Sequence, residues 1–250
     1  PRILINEIDA DTPGSDSEEF VELLTAPADM NVSGVVLVAY NGSDDASYAI
    51  AGQGGVELSG VSGADGLFVV GSASVPNVDQ VVGDMLPTPS QNLIQNGADA
   101  VTLYIGEAAT FPNDSTITTV NLIDAVVYGT SDSDDMGLIS GLLASAQEPQ
   151  VDENRNAGKE LESSQRCEPG ARQTTSFIVS TATPGAINAA CTCTTNADCD
   201  VCEVCDMMTN KCEQAPVGVT CEEEPNPCTH DTCHAAVSCD TASTIECSSS

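Results

Sequence analysis

From Ile3 to about Val179 the chain alternates short apolar runs with polar turns. The runs are ILINEI (Ile3–Ile8), EFVELL (Glu19–Leu24), VVLVAY (Val35–Tyr40), LFVVG (Leu67–Gly71), AVTLYIG (Ala100–Gly106), IDAVVYG (Ile123–Gly129) and SFIVS (Ser176–Ser180). Each has the length of a strand, is rich in β-branched residues, and is bounded by turn signals such as NGS, SGADG and QNGAD. Together they predict an all-β fold, an immunoglobulin-like antiparallel β-sandwich. Several runs are continuously apolar, which predicts central strands covered on both faces. MGLISGLLAS (Met136–Ser145) has apolar spacing fit for a helical turn, but its Gly and Ser content favours a loop.

The pattern changes at Cys191. Of the 12 cysteines, Cys167 stands alone, and the others follow as Cys191, Cys193, Cys199, Cys202, Cys205, Cys212, Cys221, Cys228, Cys233, Cys239 and Cys247. CTCTTNADCDVCEVCDMMTNKC (Cys191–Cys212) has few apolar residues for a core. A disulfide-stapled spacer resolves that shortage, because cross-links replace a large core. The expected organisation is a sandwich over residues 1–190 and a cysteine-rich region over 191–250. Cys167 is expected to bond to Cys191 or Cys193, across the run SFIVS, leaving an even number of cysteines downstream. The C-x-x-C spacing of Cys199, Cys202 and Cys205 would suit zinc in a reducing compartment, but so dense a ladder favours disulfides. Disulfides imply an oxidising, extracellular location. With neither a leader nor an initial Met visible, the sequence reads as a segment whose leader has been removed. No apolar run approaches the ~20 residues of a membrane span.

INEI, an acidic Gly turn and EFVEL, then SGVVLVAYNGS, NLIQNGADAVTLY, LIDAVVYG, SSQRC and ATPGAIN occur in that order. In this order they resemble the extracellular bacterial and algal branch of the lamin-tail domain family, over roughly residues 3–188. The resemblance implies an immunoglobulin-like sandwich without shared catalytic residues. Family members occur as filament tails, as modules of secreted proteins and beside extracellular nuclease domains. PCTHDTC (Pro227–Cys233) resembles the CTxDxC signature of cysteine-rich extracellular repeats.

Charge narrows the chemistry. The 38 acidic residues outnumber 6 basic ones, for a formal net charge of -32, a field that repels nucleic acid and anionic membranes. The two histidines, His230 and His234, lie in the cysteine ladder, so the sandwich has no imidazole for a Ser-His triad or a histidine zinc site. Paired carboxylates could hydrolyse glycosides, but a sugar cleft without Trp, and with 3% aromatic residues, is a poor fit. Asp9, Asp11, Asp16 and Glu18 crowd the turn around Gly14 and are a calcium candidate. Read as an EF-hand loop from Asp9, the stretch fails at Pro13 and Phe20, so the cage would be irregular. Asp132, Asp134 and Asp135 form a second calcium candidate. Sequons place glycosylation candidates at Asn31, Asn41 and Asn113, although the Asn41-Gly42 pair is also what a tight hairpin requires.

These features predict a non-catalytic extracellular module for assembly or adhesion, part of a surface filament, sheath or matrix. Its partners would be copies of itself or other extracellular structural proteins, with ILINEI as the strand offered to a neighbour. The alternative is an accessory domain of a larger secreted enzyme such as a nuclease or phosphoesterase.

Overall fold

The computed structural model describes residues 1–50, 54–82, 93–188 and 191, and the backbone of five further strands between Glu203 and Asp240. The chain forms two compact units, Pro1–Ala189 and Ala190–Ser250. In the first unit the strands are β1 (Arg2–Asp9), β2 (Phe20–Ala26), β3 (Val35–Asn41), β4 (Ala46–Tyr48), β5 (Val56–Glu57), β6 (Leu67–Gly71), β7 (Gln80–Val81), β8 (Asp99–Ile105) and β9 (Leu122–Gly129). Helix α1 (Met136–Leu142) follows, then β10 (Val151–Asp152), β11 (Glu162–Arg166) and β12 (Phe177–Thr181). All the apolar runs read as strands lie on strands.

They form a two-sheet sandwich. One sheet has the order β12-β11-β1-β2-β6-β7; the other runs β10-β9-β8-β3-β4, with β5 also paired to β3. The long strands pair antiparallel. Both sheets are nevertheless mixed, because the two-residue strands β7 and β10 add in parallel at their edges. Ile5, Ile8, Val21, Leu23, Leu37, Leu103, Val126 and Phe177 meet between the sheets. The continuously apolar strands are explained by a second layer. Val36, Val38 and Tyr40 of β3 face outward with Tyr104 and Val127, under Leu138, Ile139 and Leu142 of α1.

That helix corrects the expectation of a loop at Met136–Ser145. Asp135 caps it, its carboxylate accepting from the Leu138 N–H at 2.8 Å. A Cβ on Gly141 would stand 3.2 Å from Ile117, so the glycine that argued for a loop instead allows close packing. The expectation that Ile3–Ile8 is free to join a neighbour is also overturned. β1 lies inside its sheet, between β11 and β2.

β1 carries an irregularity between Ile5 and Glu7 that leaves Asn6 without a counterpart on β2. Side chains take over the ladder there. Asp124 of β9 accepts from the Ile5 N–H at 2.8 Å, and Arg166 Nε of β11 donates to the Ile5 carbonyl at 2.6 Å. Arg166 and Asp124 also form an ion pair of 2.7 Å, with side chains 1% and 0% exposed. The guanidinium lies over the Phe177 ring, 4.7 Å from its centre.

Cys167 and Cys191 form a disulfide, as the sequence led us to expect. It closes a loop around β12, which the chain-entropy model values at about 3 kcal/mol. In the second unit β13 (Glu203–Asp206) pairs with β14 (Lys211–Gln214), and β16 (Asp231–His234) lies between β15 (Thr220–Cys221) and β17 (Ser238–Asp240). Cys205 stands opposite Cys212 in register, and Cys233 opposite Cys239. The expected bonds among the cysteines after Cys191 lie outside the described residues.

Replacing Arg166 by Met should destabilise the sandwich by about 3–5 kcal/mol, since Asp124 would remain buried without its counter-charge. Denaturant unfolding measures this; a loss below about 1 kcal/mol would show that the pair is not the tie described.

Candidate functional site

The acidic N-terminal turn does not gather its carboxylates. Asp9, at the end of β1, is buried, and its carboxyl hydrogen-bonds to that of Glu153. Glu153 in turn accepts from the Ala10 N–H at 3.1 Å. Burial pushes both acids well above the ordinary carboxylate range, with Glu7 adding repulsion at Asp9 and Asp9 adding it at Glu153, and the hydrogen bond between the two carboxyls holds a proton. Asp11 forms an ion pair with Lys159. Asp16 accepts from the Thr12 N–H at 2.9 Å and from Asn96 Nδ2 at 3.1 Å, and Glu18 is exposed. Each of the four acids thus has a separate setting. Among the described residues, no three His, Cys, Asp or Glu side chains are gathered into a group able to hold a metal ion.

Other buried acids brace the fold. Glu7 accepts from the N–H and hydroxyl of Thr183 at 2.7 and 2.8 Å, and Glu22 accepts from the Gly185 N–H at 2.7 Å. Asn188 closes the same segment onto the Asn6 and Arg166 carbonyls. The stretch ATPGAIN is therefore a strap across the outer face of the first sheet. Glu19 accepts from the Leu93 and Ile94 N–H groups and holds the approach to β8. Burial raises Glu22 to about 8 and Glu19 to about 9.

That approach to β8 forms the floor of a pocket of about 910 Å³, where β3 and β9 end and β8 begins. Two phenols, half-buried Tyr48 and buried Tyr128, fix the floor: the Gln95 N–H donates to the Tyr48 hydroxyl at 3.0 Å, and the Tyr128 hydroxyl donates to the Gln95 carbonyl at 2.8 Å. The wall is amide and acid: Asn41, Asn96 and Asn113 with Asp99, Asp132 and Asp135, and no basic side chain among the lining residues. Asp99, the first residue of β8, is 3% exposed. One of its oxygens accepts from the Gly42 N–H at 3.0 Å, and the other has no hydrogen-bond partner. Burial raises Asp99 to about 6; the Gly42 N–H opposes this, and Asp132, Asp135 and Asp44 add to it by repulsion.

Gly42 is required here for space. A Cβ would fall 2.0 Å from the Ala98 carbonyl oxygen and 2.5 Å from Asp135 Oδ2. The turn from β3 to β4 is wider than the expected tight hairpin, since Asn41 pairs with Ala46 across residues 42–45. Asn41 is itself engaged, donating to Gln95 and accepting from the Ser43 N–H. Asn113 accepts from the Ala49 N–H and is exposed; Asn31 is also exposed and accepts from the Ser33 N–H.

Of the second candidate set, Asp132 and Asp135 line this pocket, whereas Asp134 is exposed and does not. Sequence reading missed Asp99, Glu153 and the bracing acids. A signal was present for Glu22 and Asp124, which each interrupt an apolar run, where a carboxylate needs a buried partner. No family model matches this sequence, and neither does any curated protein or solved structure. No described helix is long and apolar enough to cross a membrane.

The raised acids fix the sign of the pH dependence. Above the ordinary carboxylate range the unfolded chain releases protons that native Glu19, Glu22 and Asp99 retain. Their contribution therefore makes stability fall as pH rises, until the native groups ionise near their own values of about 9, 8 and 6. The melting midpoint should be lower at about pH 9 than at about pH 6, with a smaller difference in Glu22→Gln, whose single amide oxygen can still accept from the Gly185 N–H. A midpoint that rises over this range would contradict the assignment.

Proposed function

We propose that this chain is a non-catalytic extracellular structural module: a lamin-tail-like sandwich followed by a disulfide-stapled spacer, working in assembly or adhesion within a surface filament, sheath or matrix. The observation that supports this most is how the buried carboxylates are used. Glu7, Glu19, Glu22, Asp124 and Glu153 all accept backbone N–H groups from distant segments. Chemistry requires a carboxylate that can reach a substrate, whereas these are spent on holding segments in place. A rigid body with acid on its surface suits display and lateral packing.

Its partners on this reading are further copies or other extracellular structural proteins. The backbone edge available for pairing is β12, which at five residues outlasts the other edge strands, β7, β10 and β4, among the described residues. Asn156 covers part of that edge by donating to the Val179 carbonyl at 2.9 Å. Like charge holds copies apart at a net -32, so divalent cations should promote association by screening the acidic faces.

Light scattering of the purified chain, at near-physiological salt with calcium or with chelator, tests the proposal. Concentration-dependent association that calcium promotes and chelator reverses is expected. A strict monomer at high concentration in both conditions would overturn it and bring forward the accessory domain of a secreted enzyme.

A further inference from the structure

The chain leaves the first unit through β12 and the strap, and this exit is lightly held. β12 pairs only with β11, and the strap beyond it belongs to no strand. Single hydrogen bonds fix the strap: Thr183 and Gly185 donate to Glu7 and Glu22, Asn188 donates to two carbonyls, and the Pro184 carbonyl accepts from Asn77. Ala182 packs against the small cluster of Phe20, Val69 and Val75, but Ile187 is 71% exposed. Few apolar contacts and exposed bonds are the marks of a segment that opens locally. A pull arriving along the strap would peel β12 from its Thr181 end, breaking its bonds to β11 one after another.

The Cys167–Cys191 bridge changes where such a pull arrives. Through it, the shortest covalent path from the cysteine-rich unit into the sandwich skips both β12 and the strap. The path enters at Cys167, which has firm ties on either side. Before it, Arg166 donates to the Ile5 carbonyl at 2.6 Å and pairs with buried Asp124. After it, the Arg172 side chain donates to the Leu143 carbonyl at 2.8 Å, and Glu148 accepts from the Thr174 and Thr175 N–H groups at 2.8 and 3.0 Å. We propose that the bridge is a tension staple, which passes force from the second unit directly into β11 and the turn after it and keeps β12 and the strap from being stripped away. Any bridge closing a loop of similar length would restrict the unfolded chain about as much. This one encloses the segment through which the chain leaves the sandwich.

The inference builds on the structural role proposed above, but its test is made on single molecules and does not depend on whether copies associate. The full chain should be stretched between its two ends in single-molecule force measurements, unaltered and as the double variant Cys167→Ser, Cys191→Ser, which leaves the other cysteines in place. The variant is expected to gain a separate step at lower force than the opening of the sandwich. That step should lengthen the chain by roughly 5 nm, the extended span from Phe177 to Cys191. The unaltered chain should lack it, and its fully stretched length should be shorter by roughly 8 nm, the span that the bridge withholds. A variant with no step before the sandwich opens would overturn the proposal, as would the same early step in the unaltered chain. A variant that does not fold would overturn it too, because β12 and the strap would then be inseparable from the sandwich.

Discussion

A buried ion pair that stands in for missing sheet hydrogen bonds is the constraint on which the sandwich depends. β1 pairs on both sides, but its register with β11 covers Glu7 and Ile8, and at Ile5, opposite Leu23 of β2 and next to the irregularity at Asn6, side chains complete the ladder. Asp124 and Arg166 satisfy the Ile5 N–H and carbonyl, and in doing so they join β9 of one sheet to β1 and β11 of the other. Burial pushes Asp124 up and Arg166 down from their ordinary values, since desolvation outweighs their mutual attraction. Such a pair adds little net stability over an apolar substitute, but it penalises arrangements that strand either partner. The Arg172 N–H also binds Asp124, so the turn before β12 joins the same tie.

The strap and the disulfide follow from that arrangement. With β11 held by Arg166, the chain turns through β12 and returns across the outer face of the first sheet, where Glu7 and Glu22 receive Thr183 and Gly185. Cys167 lies next to Arg166, so the Cys167–Cys191 bridge starts one residue from the buried ion pair. An acidic protein thus puts part of its charge to structural use, and the carboxyls of Asp9 and Glu153 are joined by a hydrogen bond.

The long strands were legible because each carries enough apolar residues to announce itself, and their unbroken hydrophobicity correctly implied cover on both faces. β11 was not read as a strand. Its sequence ESSQR is polar because Ser163 and Gln165 hydrogen-bond to buried Glu7 while Arg166 reaches Asp124. Helix α1 was obscured by glycines that serve packing. The acids of the N-terminal turn, close in sequence, are not brought together in space. Nearness in sequence says nothing about facing, and Asp9's partner, Glu153, lies far along the chain. The pocket acids Asp99 and Asp135 come together only because β8 and the start of α1 end up on either side of Gly42, a long-range consequence of sheet order.

Hydrogen exchange at the Ile5 amide tests the central tie most directly. Ile5 sits where the ladder is interrupted, so its N–H owes any protection to the Asp124 carboxylate. The account predicts that this amide exchanges as slowly as the most protected amides of β1 and β2, through global unfolding alone. Exchange at the rate of an exposed loop amide, with neighbouring β1 amides still protected, would contradict it.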